Sequence, residues 1–341
     1  MMLGTMVAFG VLATALVAAY VLTGWVRAYA LKAEMLDIPN ARSSHDAPTP
    51  RGGGVALVAV VLAALPLISL WAALPSSGLA ALWFGGAAVA AIGWLDDHTD
   101  VPARWRLLVH LVAAGWVVAW AEGAPPLPLP AGQWAWGLLG GGVLVLLISW
   151  IINLYNFMDG IDGIAGVEAL TVAGIAAVLL WSLGAVGWAL VAAIIAAASF
   201  GFLAWNWPPA KIFMGDGGSG FLGFVLAGLA VVTWSEAGLS VWSWLILLGA
   251  FIVDATITLM RRILRGERFY QAHRTHAYQH ACRYYGSHRR VTVAVGLINL
   301  LWLGPLAWAA AVRPEWGIVY WGVAWMPLAA LCIWFRAGVP G

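Results

Sequence analysis

Acidic and amide residues are grouped in five short polar stretches of an otherwise apolar chain. Charged residues make up only 9% of the 341 residues. Carboxylates near hydrocarbon are unfavourable unless they are paired, so this many of them require a compensating cation or substrate. Oxygen ligands suit Mg²⁺, and the pattern favours Mg²⁺-assisted chemistry on a pyrophosphate at a membrane surface. The stretches are Asp96-Asp97 with Asp100, Asn153 to Asp162, Asn206, Asp216 in a Met-Gly-Asp-Gly-Gly-Ser run, and Asp254.

The paired acids Asp96 and Asp97 close a predicted helix. The negative end of a helix dipole disfavours adjacent acids. The pair suits a metal site, a lysine or arginine partner, or a general base whose pKa is raised by its neighbour. A solvated loop in which they pair with Arg104 or Arg106 explains them equally well. By itself the pair leaves this choice open.

Polar residues recur at every third position in the second stretch, which aligns them along one side of a helical turn. They are Asn153, Asn156, Asp159 and Asp162. Gly160 and Gly163 allow the backbone to come close to a ligand. These side chains suit Mg²⁺ or sugar hydroxyls rather than zinc. A helix-capping turn explains one Asp and one Gly, but not four polar residues in register.

The glycine-rich run around Asp216 precedes another predicted helix. Backbone N–H groups at a helix N-terminus can receive phosphate oxygens. The structural alternative is that Asp216 is only an N-cap. Asn206 and Lys211 lie just upstream, which favours a binding site.

Three histidines, His273, His276 and His280, are spaced by three and four positions, so a helix would present them on one face. Zinc is one interpretation, but flanking arginines and the lack of added cysteines favour phosphate. Surface histidines without a function are the alternative. Asp254, seven residues before Arg261, either joins the site or pairs with an arginine.

Membrane helices are predicted to hold these polar residues in place. The chain is 63% hydrophobic, and apolar runs of about 20 residues, enough to cross the hydrocarbon, recur throughout. We predict an all-α polytopic membrane protein with about 11 transmembrane helices, forming a single domain over residues 1–341. The predicted spans are roughly 3–26, 54–74, 78–95, 104–121, 135–155, 163–182, 186–205, 218–236, 240–262, 290–312 and 316–336.

The basic residues predict the orientation, because cytoplasmic connections carry the excess of Lys and Arg. With the N-terminus outside, all but one of the 17 basic residues fall on the cytoplasmic side, and only Arg313 lies opposite. The cytoplasmic loops are then about 27–53, 96–104, 153–163, 206–218 and 261–290. The polar stretches share that side, so we predict an active site on the cytoplasmic face.

Taken together and in order, these motifs resemble the polyprenyl-phosphate N-acetylhexosamine-1-phosphate transferase family (glycosyltransferase family 4). The resemblance covers essentially the whole chain. The His273-Arg-Thr-His276 motif and the segment 37–45 are most similar to the branch that initiates O-antigen synthesis. Three consecutive histidines, typical of the peptidoglycan branch, are absent, which argues against a muramoyl-pentapeptide substrate.

The resemblance implies transfer of a sugar 1-phosphate from a UDP-N-acetylhexosamine to undecaprenyl phosphate, with release of UMP. This would be the first membrane step of O-antigen or another cell-surface polysaccharide, in the bacterial inner membrane. The implied cofactor is Mg²⁺, with Mn²⁺ as an alternative. The implied partners are the two substrates and membrane lipid, without nucleic acid, and a homodimer is compatible with the sequence.

The resemblance also implies roles for single residues. The metal ligands would be Asp216 and Asn156, and the catalytic acids Asp96, Asp97 and Asp159, with Asp97 deprotonating or orienting the lipid phosphate. The substrate-binding residues would be Asn153, Asp162, Asn206, Phe213, Arg51, His45, His273, His276 and Arg104. The family often has a lysine a few residues after the paired acids. Here Asp100 follows, and Arg104 is the nearest cation.

Two other functions remain as alternatives. A transporter of an anionic solute would place polar groups near the midplane in broken helices, often in repeated halves, whereas these groups cluster at helix ends. A CDP-alcohol phosphatidyltransferase would follow its Asp-Gly with Ala-Arg. Neither Asp159-Gly nor Asp162-Gly is followed by that pair.

Overall fold

The chain is almost entirely helical in a computed structural model that describes residues 2–38, 48–70, 72, 74–267 and 273–340. The strands in this described part form two short antiparallel pairs. One pair joins β1 (Leu36–Asp37) to β2 (Thr49–Pro50), and the other joins β3 (Leu127–Leu129) to β4 (Gly132–Trp134). The all-α prediction is confirmed.

Fourteen α-helices follow one another along the described residues. They are α1 (Met2–Lys32), α2 (Gly54–Ser69), α3 (Ser76–Thr99), α4 (Ala103–Trp120), α5 (Gly137–Met158), α6 (Ile164–Ser182), α7 (Val186–Asn206), α8 (Asp216–Ala237), α9 (Val241–Leu247), α10 (Gly249–Leu264), α11 (Ala277–Tyr285), α12 (His288–Ile298), α13 (Gly304–Val312) and α14 (Gly317–Trp334). A π-helical turn, Asn299–Leu303, joins α12 to α13, and a 3₁₀ turn, Pro314–Trp316, precedes α14.

Within the described residues, eight helical segments are long and apolar enough to cross a membrane. The number is nine if α9 and α10, bent by 73° at their junction, form one span. The polytopic class is thus confirmed, but the predicted 11 spans exceed this number. Helix α2 has only 16 residues. Helix α4 forms where predicted, but it carries Arg104, Arg106 and His110 in its first two turns.

Helix α8 is the centre of the bundle, and every residue from Gly217 to Trp234 is buried. Small residues let its neighbours approach closely, as in other membrane helix pairs. A Cβ on Gly54 of α2 would lie 2.5 Å from the Gly218 Cα, and a Cβ on Gly93 of α3 would lie 2.5 Å from the Asp216 carbonyl oxygen. The N-terminus of α8 is therefore held between α2 and α3.

Candidate active site

Asp97, near the end of α3, caps the N-terminus of α8. Its Oδ1 accepts a hydrogen bond from the backbone N–H of Asp216 at 3.0 Å, and its Oδ2 accepts one from Gly217 at 3.2 Å. The Asp97 residue is buried. A carboxylate at this position satisfies two backbone donors of the helix and interacts favourably with its dipole. Asp97 thereby fixes the start of α8, where Asp216 lies.

We call Asp96, Asp97 and Asp216 the acidic cluster. Arg106 bridges Asp96 and Asp216 within it. Its Nη1 makes a short ion pair with Asp96 Oδ2 and lies 3.1 Å from Asp216 Oδ2. Asp96 Oδ1 also accepts a hydrogen bond from the backbone N–H of Val101 at 2.8 Å. The guanidinium thus holds carboxylates from α3 and α8 beside each other.

Asn156, in the last turn of α5, completes the contacts of Asp216. Its Nδ2 donates to Asp216 Oδ1 at 2.9 Å and contacts the Ser219 Oγ at 3.0 Å. The Asn156 Oδ1 has no hydrogen bond within the described part of the chain. The Asp216 side chain keeps 35% of its surface exposed, so its carboxylate remains accessible to a ligand.

Arg51 and Phe213 connect the first loop to this cluster. The Arg51 Nη2 donates a short hydrogen bond to the backbone oxygen of Asp97. The backbone N–H of Phe213 donates to the Pro50 oxygen at 2.8 Å, and that of Gly53 donates to the Phe213 oxygen at 2.9 Å. Both residues are half-buried and lie beside the N-terminus of α8.

Asp159 follows the last residue of α5, and its carboxylate makes no hydrogen bond or ion pair with another described residue. Burial raises the pKa of this carboxyl well above its ordinary value, and the negative charges of Asp216, Asp97 and Asp162 raise it further. An unpaired carboxyl near other acids is suited to bind a proton or a cation.

Asp162 and Asn206 hold the surrounding loops together. Asp162 Oδ2 accepts from the backbone N–H of Ala210 at 3.0 Å, and its Oδ1 lies 3.4 Å from the His288 Nδ1. The buried Asn206 accepts from the Gly163 N–H at 3.0 Å and donates to the Ile212 oxygen at 2.9 Å. Both the amide oxygen and the amide nitrogen of Asn206 thus bind backbone groups.

The predicted single face of histidines does not form. Helix α11 begins at Ala277, after His273 and His276, so only His280 lies on it. The buried His276 places its Nδ1 3.3 Å from Asp254 Oδ1. Burial lowers the pKa of His273 to about 3, and the neighbouring His276 and Arg262 lower it in the same direction. This shift favours the neutral imidazole of His273 at physiological pH.

Asp254 pairs with no arginine among the described residues; it caps α11. Its Oδ1 accepts from the backbone N–H of Ala277 at 2.9 Å, and its Oδ2 accepts from that of Tyr278 at 2.9 Å. The Tyr278 hydroxyl in turn donates to the Phe157 carbonyl oxygen at 3.1 Å. Gly160 gives this hydroxyl room, since a Cβ there would lie 2.1 Å from it. The histidine segment is thereby packed against the polar stretch after α5.

Comparison with known proteins identifies the family of this chain. Residues 79–234 match the glycosyl transferase family 4 model. The phospho-N-acetylmuramoyl-pentapeptide-transferase of Cutibacterium acnes is 30% identical over 271 residues, which cover 67% of this chain and 73% of that protein. This chain belongs to glycosyl transferase family 4. It is thus a multi-pass membrane enzyme of the polyprenyl-phosphate sugar-1-phosphate transferases, as the motifs predicted.

Two further relatives of this family 4 transferase match most of its length. The decaprenyl-phosphate N-acetylglucosaminephosphotransferase of Mycobacterium leprae is 29% identical over 337 residues, covering 87% of this chain and 81% of that protein. The probable undecaprenyl-phosphate N-acetylglucosaminyl 1-phosphate transferase of Bacillus subtilis is 29% identical over 285 residues, covering 82% and 79%.

Two predicted site residues of the transferase, Asn153 and Arg104, make no contact with the acidic cluster among the described residues, and a third is not described. Asn153 donates to the Ser149 oxygen at 2.7 Å and contacts His110 Nδ1 at 3.1 Å. Arg104 is exposed, with its guanidinium 5.7 Å from the centre of the Trp105 ring. His45 lies outside the described residues. Among the described residues, Arg104 thus makes no ion pair with the paired acids.

Arg106 pairs with Asp96 instead, and the sequence alone gave no reason to prefer Arg106 over Arg104. Two residues on a helix are separated by about 200°, so only one of these arginines can face α3 and α8. His288 and Tyr278 were also missed as neighbours of the polar stretch. Their contacts depend on the path of the segment after α10, for which the sequence has no local signal.

The oxygen donors at this end of the family 4 enzyme fit a magnesium ion that is completed by phosphate. No group of three or more His, Cys, Asp or Glu side chains is arranged as a metal site in the described ranges. Asp216 and Asn156 supply a carboxylate and a free amide oxygen instead. Mg²⁺ is commonly bound by one or two protein carboxylates together with water and substrate phosphates. This donor set therefore suits an ion that arrives with a diphosphate.

Proposed function

We propose that this family 4 enzyme transfers an N-acetylhexosamine 1-phosphate from a UDP-sugar to undecaprenyl phosphate and releases UMP. The main support is the convergence of Asp97, Asp216, Asp96, Asn156 and Arg106 from four helices at one end of the bundle. The names of the relatives support the substrate classes, because they specify decaprenyl or undecaprenyl phosphate and N-acetylglucosamine. UDP-N-acetylglucosamine is therefore the first donor to test.

In this proposal Asp216 and the Asn156 amide oxygen hold Mg²⁺, or Mn²⁺ in its place. The ion would neutralise charge on the diphosphate and polarise the phosphorus that is attacked. Arg106 now occupies one Asp216 oxygen and would compete with the ion for it. A guanidinium beside the site also stabilises a diphosphate by charge-assisted hydrogen bonds.

The acids around the metal ligand divide into positioning and proton-handling groups. Asp97 keeps Asp216 in place, since both of its oxygens bind backbone N–H groups of α8. Asp96 orients Arg106. Asp159 has a raised pKa and no hydrogen-bonding partner in the described structure, so we assign to it the acceptance of a proton from the lipid phosphate. The motif resemblance had favoured Asp97 for this step.

The remaining predicted residues frame the substrate. Phe213, Arg51 and Asp162 line the rim of the cluster, and Asn206 supports that rim through its backbone contacts. His276 and His273 order the loop before α11. Uridine, diphosphate and sugar would bind among these elements.

The orientation of the enzyme remains part of the proposal. The N-terminus would lie outside and the acidic cluster on the cytoplasmic face of the bacterial plasma membrane, because Lys and Arg gather at that end. UDP-sugars would then reach the site from the cytoplasm, and the polyprenyl chain would stay in the bilayer. The product would start O-antigen or another surface polysaccharide, with the whole chain acting as one domain, as a monomer or homodimer.

The test is a donor panel with the purified full-length protein, undecaprenyl phosphate and Mg²⁺. Mass spectrometry of the lipid fraction should show undecaprenyl diphosphate carrying one sugar, in equal amount to the UMP released. EDTA should stop the reaction, and added Mg²⁺ or Mn²⁺ should restore it. If no UDP-N-acetylhexosamine yields the lipid product, the proposed substrates are wrong.

A further inference from the structure

Two cations from separate elements approach one indole ring at the ends of α1 and α7. The Arg27 guanidinium carbon lies 5.9 Å from the centre of the Trp205 ring, and the Lys211 ammonium lies 5.6 Å from it. The Arg27 Nε also donates to the backbone oxygen of Lys211 at 3.1 Å. We call Arg27, Trp205 and Lys211 the indole–cation cluster.

The indole at the centre of this cluster is held rigidly. The Trp205 Nε1 donates to the Tyr20 carbonyl oxygen at 2.9 Å, and the two aromatic rings stack at 5.4 Å. Gly24 leaves room for the ring, because a Cβ there would lie 3.0 Å from it. The Lys211 N–H donates to the Trp205 oxygen at 2.8 Å, which fixes the loop that carries the lysine. The two cations are thus brought together by the fold.

The described residues supply no counter-charge to the indole–cation cluster. No carboxylate pairs with Arg27 or Lys211 anywhere in the described chain, whereas Arg106 and Arg262 each have acidic partners. Like charges at one ring repel each other, and an anion between them removes that repulsion. The ammonium and the terminal guanidinium nitrogens have no acceptor in the described structure, so they are free to bind oxygen atoms.

The surroundings of the cluster indicate that the anion is part of a lipid. Helix α1 is the least buried of the candidate spans, with 17% of its most apolar stretch buried. The next is the span that contains α14, with 22%. The Tyr20, Trp25 and Tyr29 side chains of α1 are exposed by 44%, 69% and 64%. Exposed tyrosine and tryptophan near a helix end mark the level of the lipid headgroups. A lipid whose phosphate lay at that level could place its acyl chains along α1.

We propose that the indole–cation cluster binds the headgroup phosphate of an anionic membrane phospholipid. Arg27 and Lys211 donate to the phosphate oxygens, Trp205 provides the platform, and the acyl chains cover the exposed face of α1. The cluster includes none of the residues to which we assign the metal or the diphosphate, so the proposal does not depend on the proposed function.

The test uses full-length protein in nanodiscs of phosphatidylcholine with increasing phosphatidylglycerol. Native mass spectrometry after release into detergent counts the phosphatidylglycerol molecules that stay bound. The wild type should retain phosphatidylglycerol in preference to phosphatidylcholine. The double variant Arg27→Gln/Lys211→Gln should bind it at least about tenfold more weakly, since each cation near a membrane surface contributes to attraction of anionic lipid. Trp205→Phe, which keeps a ring, should have a smaller effect.

Lys32→Gln is the matched control, because Lys32 is an exposed cation in the last turn of the same helix. It should retain phosphatidylglycerol like the wild type. Equal losses in Lys32→Gln and the double variant would show a general surface-charge effect and overturn the proposal. Retention of phosphatidylglycerol by a correctly folded double variant, judged by gel filtration and circular dichroism, would overturn it as well.

Two competition arms separate the sources of phosphate. Millimolar inorganic phosphate should not displace phosphatidylglycerol, because it lacks acyl chains. Undecaprenyl phosphate at the same mole fraction should displace no more of it from the wild type than the same added amount of phosphatidylcholine does. Displacement by free phosphate, or selective displacement by undecaprenyl phosphate, would contradict a phospholipid site.

Discussion

The Asp97 carboxylate accepts the backbone N–H of Asp216 at 3.0 Å, so the acid of α3 fixes the first residue of α8. Its second oxygen accepts the next N–H of the helix, at 3.2 Å. Asp97 thus determines where the Asp216 carboxylate points. This relationship links one of the paired acids to the proposed metal ligand.

Replacing Asp97 with Asn should impair both activity and stability. The amide oxygen can accept one N–H, but the NH₂ group then faces the second donor. Loss of a helix cap costs about 0.5–2 kcal/mol. Misplacement of Asp216 should slow transfer at least about a hundredfold. Initial rates and thermal unfolding in detergent measure both effects. Asp100→Asn, at an exposed position just after α3, is the control, and equal behaviour of the two variants would contradict the capping role.

Arg106 and Arg104 provide a second matched pair. Arg106 contacts Asp96 and Asp216, whereas Arg104 lies exposed over Trp105. Arg106→Gln leaves two acids without their cation and should lower kcat/KM by about tenfold or more, the scale of a charged hydrogen bond. Arg104→Gln should change it less than about twofold. Steady-state kinetics with varied UDP-sugar measures this difference. A larger loss in Arg104→Gln would return the cationic role to that residue.

The spacing of the polar stretch predicted its proximity to the other acids but not its contacts. Four residues at every third position share a side only while the helix continues. Helix α5 ends at Met158, so Asp159 and Asp162 follow a different backbone path from Asn153 and Asn156. Asn156 reaches Asp216, while Asn153 turns to His110. Helix ends are set by tertiary contacts, which local periodicity does not contain.

The prediction for the histidine motif failed for the same kind of reason. Its spacing suggested one helical face, but α11 starts after His276 because Asp254 caps it there. That cap comes from α10, more than 20 residues earlier in the chain. The apolar runs, in contrast, predicted the helical class correctly, since burial in lipid demands internally hydrogen-bonded backbone.

Asp159→Asn should abolish transfer without lowering stability at neutral pH. The pKa of Asp159 is raised in the folded protein, chiefly by burial, so the folded state binds its proton more tightly than the unfolded state does. Its contribution to stability is therefore complete below the ordinary pKa of Asp and is lost as the pH rises through the folded pKa. An amide removes this loss. Thermal unfolding of both proteins should be measured from pH 5 to 9. The midpoint temperature of the variant should rise relative to that of the wild type as the pH rises. A destabilised variant at pH 8 would show that the carboxylate has a favourable partner.

Protonation of His273 should lower the stability of the folded protein at acidic pH. Burial lowers its pKa to about 3 in the folded state, against 6.5 for an ordinary histidine. Its contribution to stability is present above about pH 6.5 and is lost as the pH falls towards the folded pKa. His273→Gln should therefore lose less stability than the wild type between pH 7 and 5. Thermal unfolding measures this, with the exposed His98→Gln as control. Parallel pH curves for the wild type and His273→Gln would contradict a half-buried imidazole whose pKa is lowered.

The proposed metal site at Asp216 is best tested by measuring UMP release by Asp216→Asn and by the wild type, at fixed undecaprenyl phosphate and a range of Mg²⁺ concentrations. The variant keeps the size of the side chain, but it replaces one acceptor oxygen with an NH₂ group and loses the charge that would hold the ion. We predict Mg²⁺-dependent UMP release by the wild type with at least one UDP-N-acetylhexosamine. We predict no release above background by a folded Asp216→Asn protein at any Mg²⁺ concentration. Wild-type rates in the variant, or transfer by the wild type in the presence of EDTA, would rule out metal-dependent transfer at Asp216.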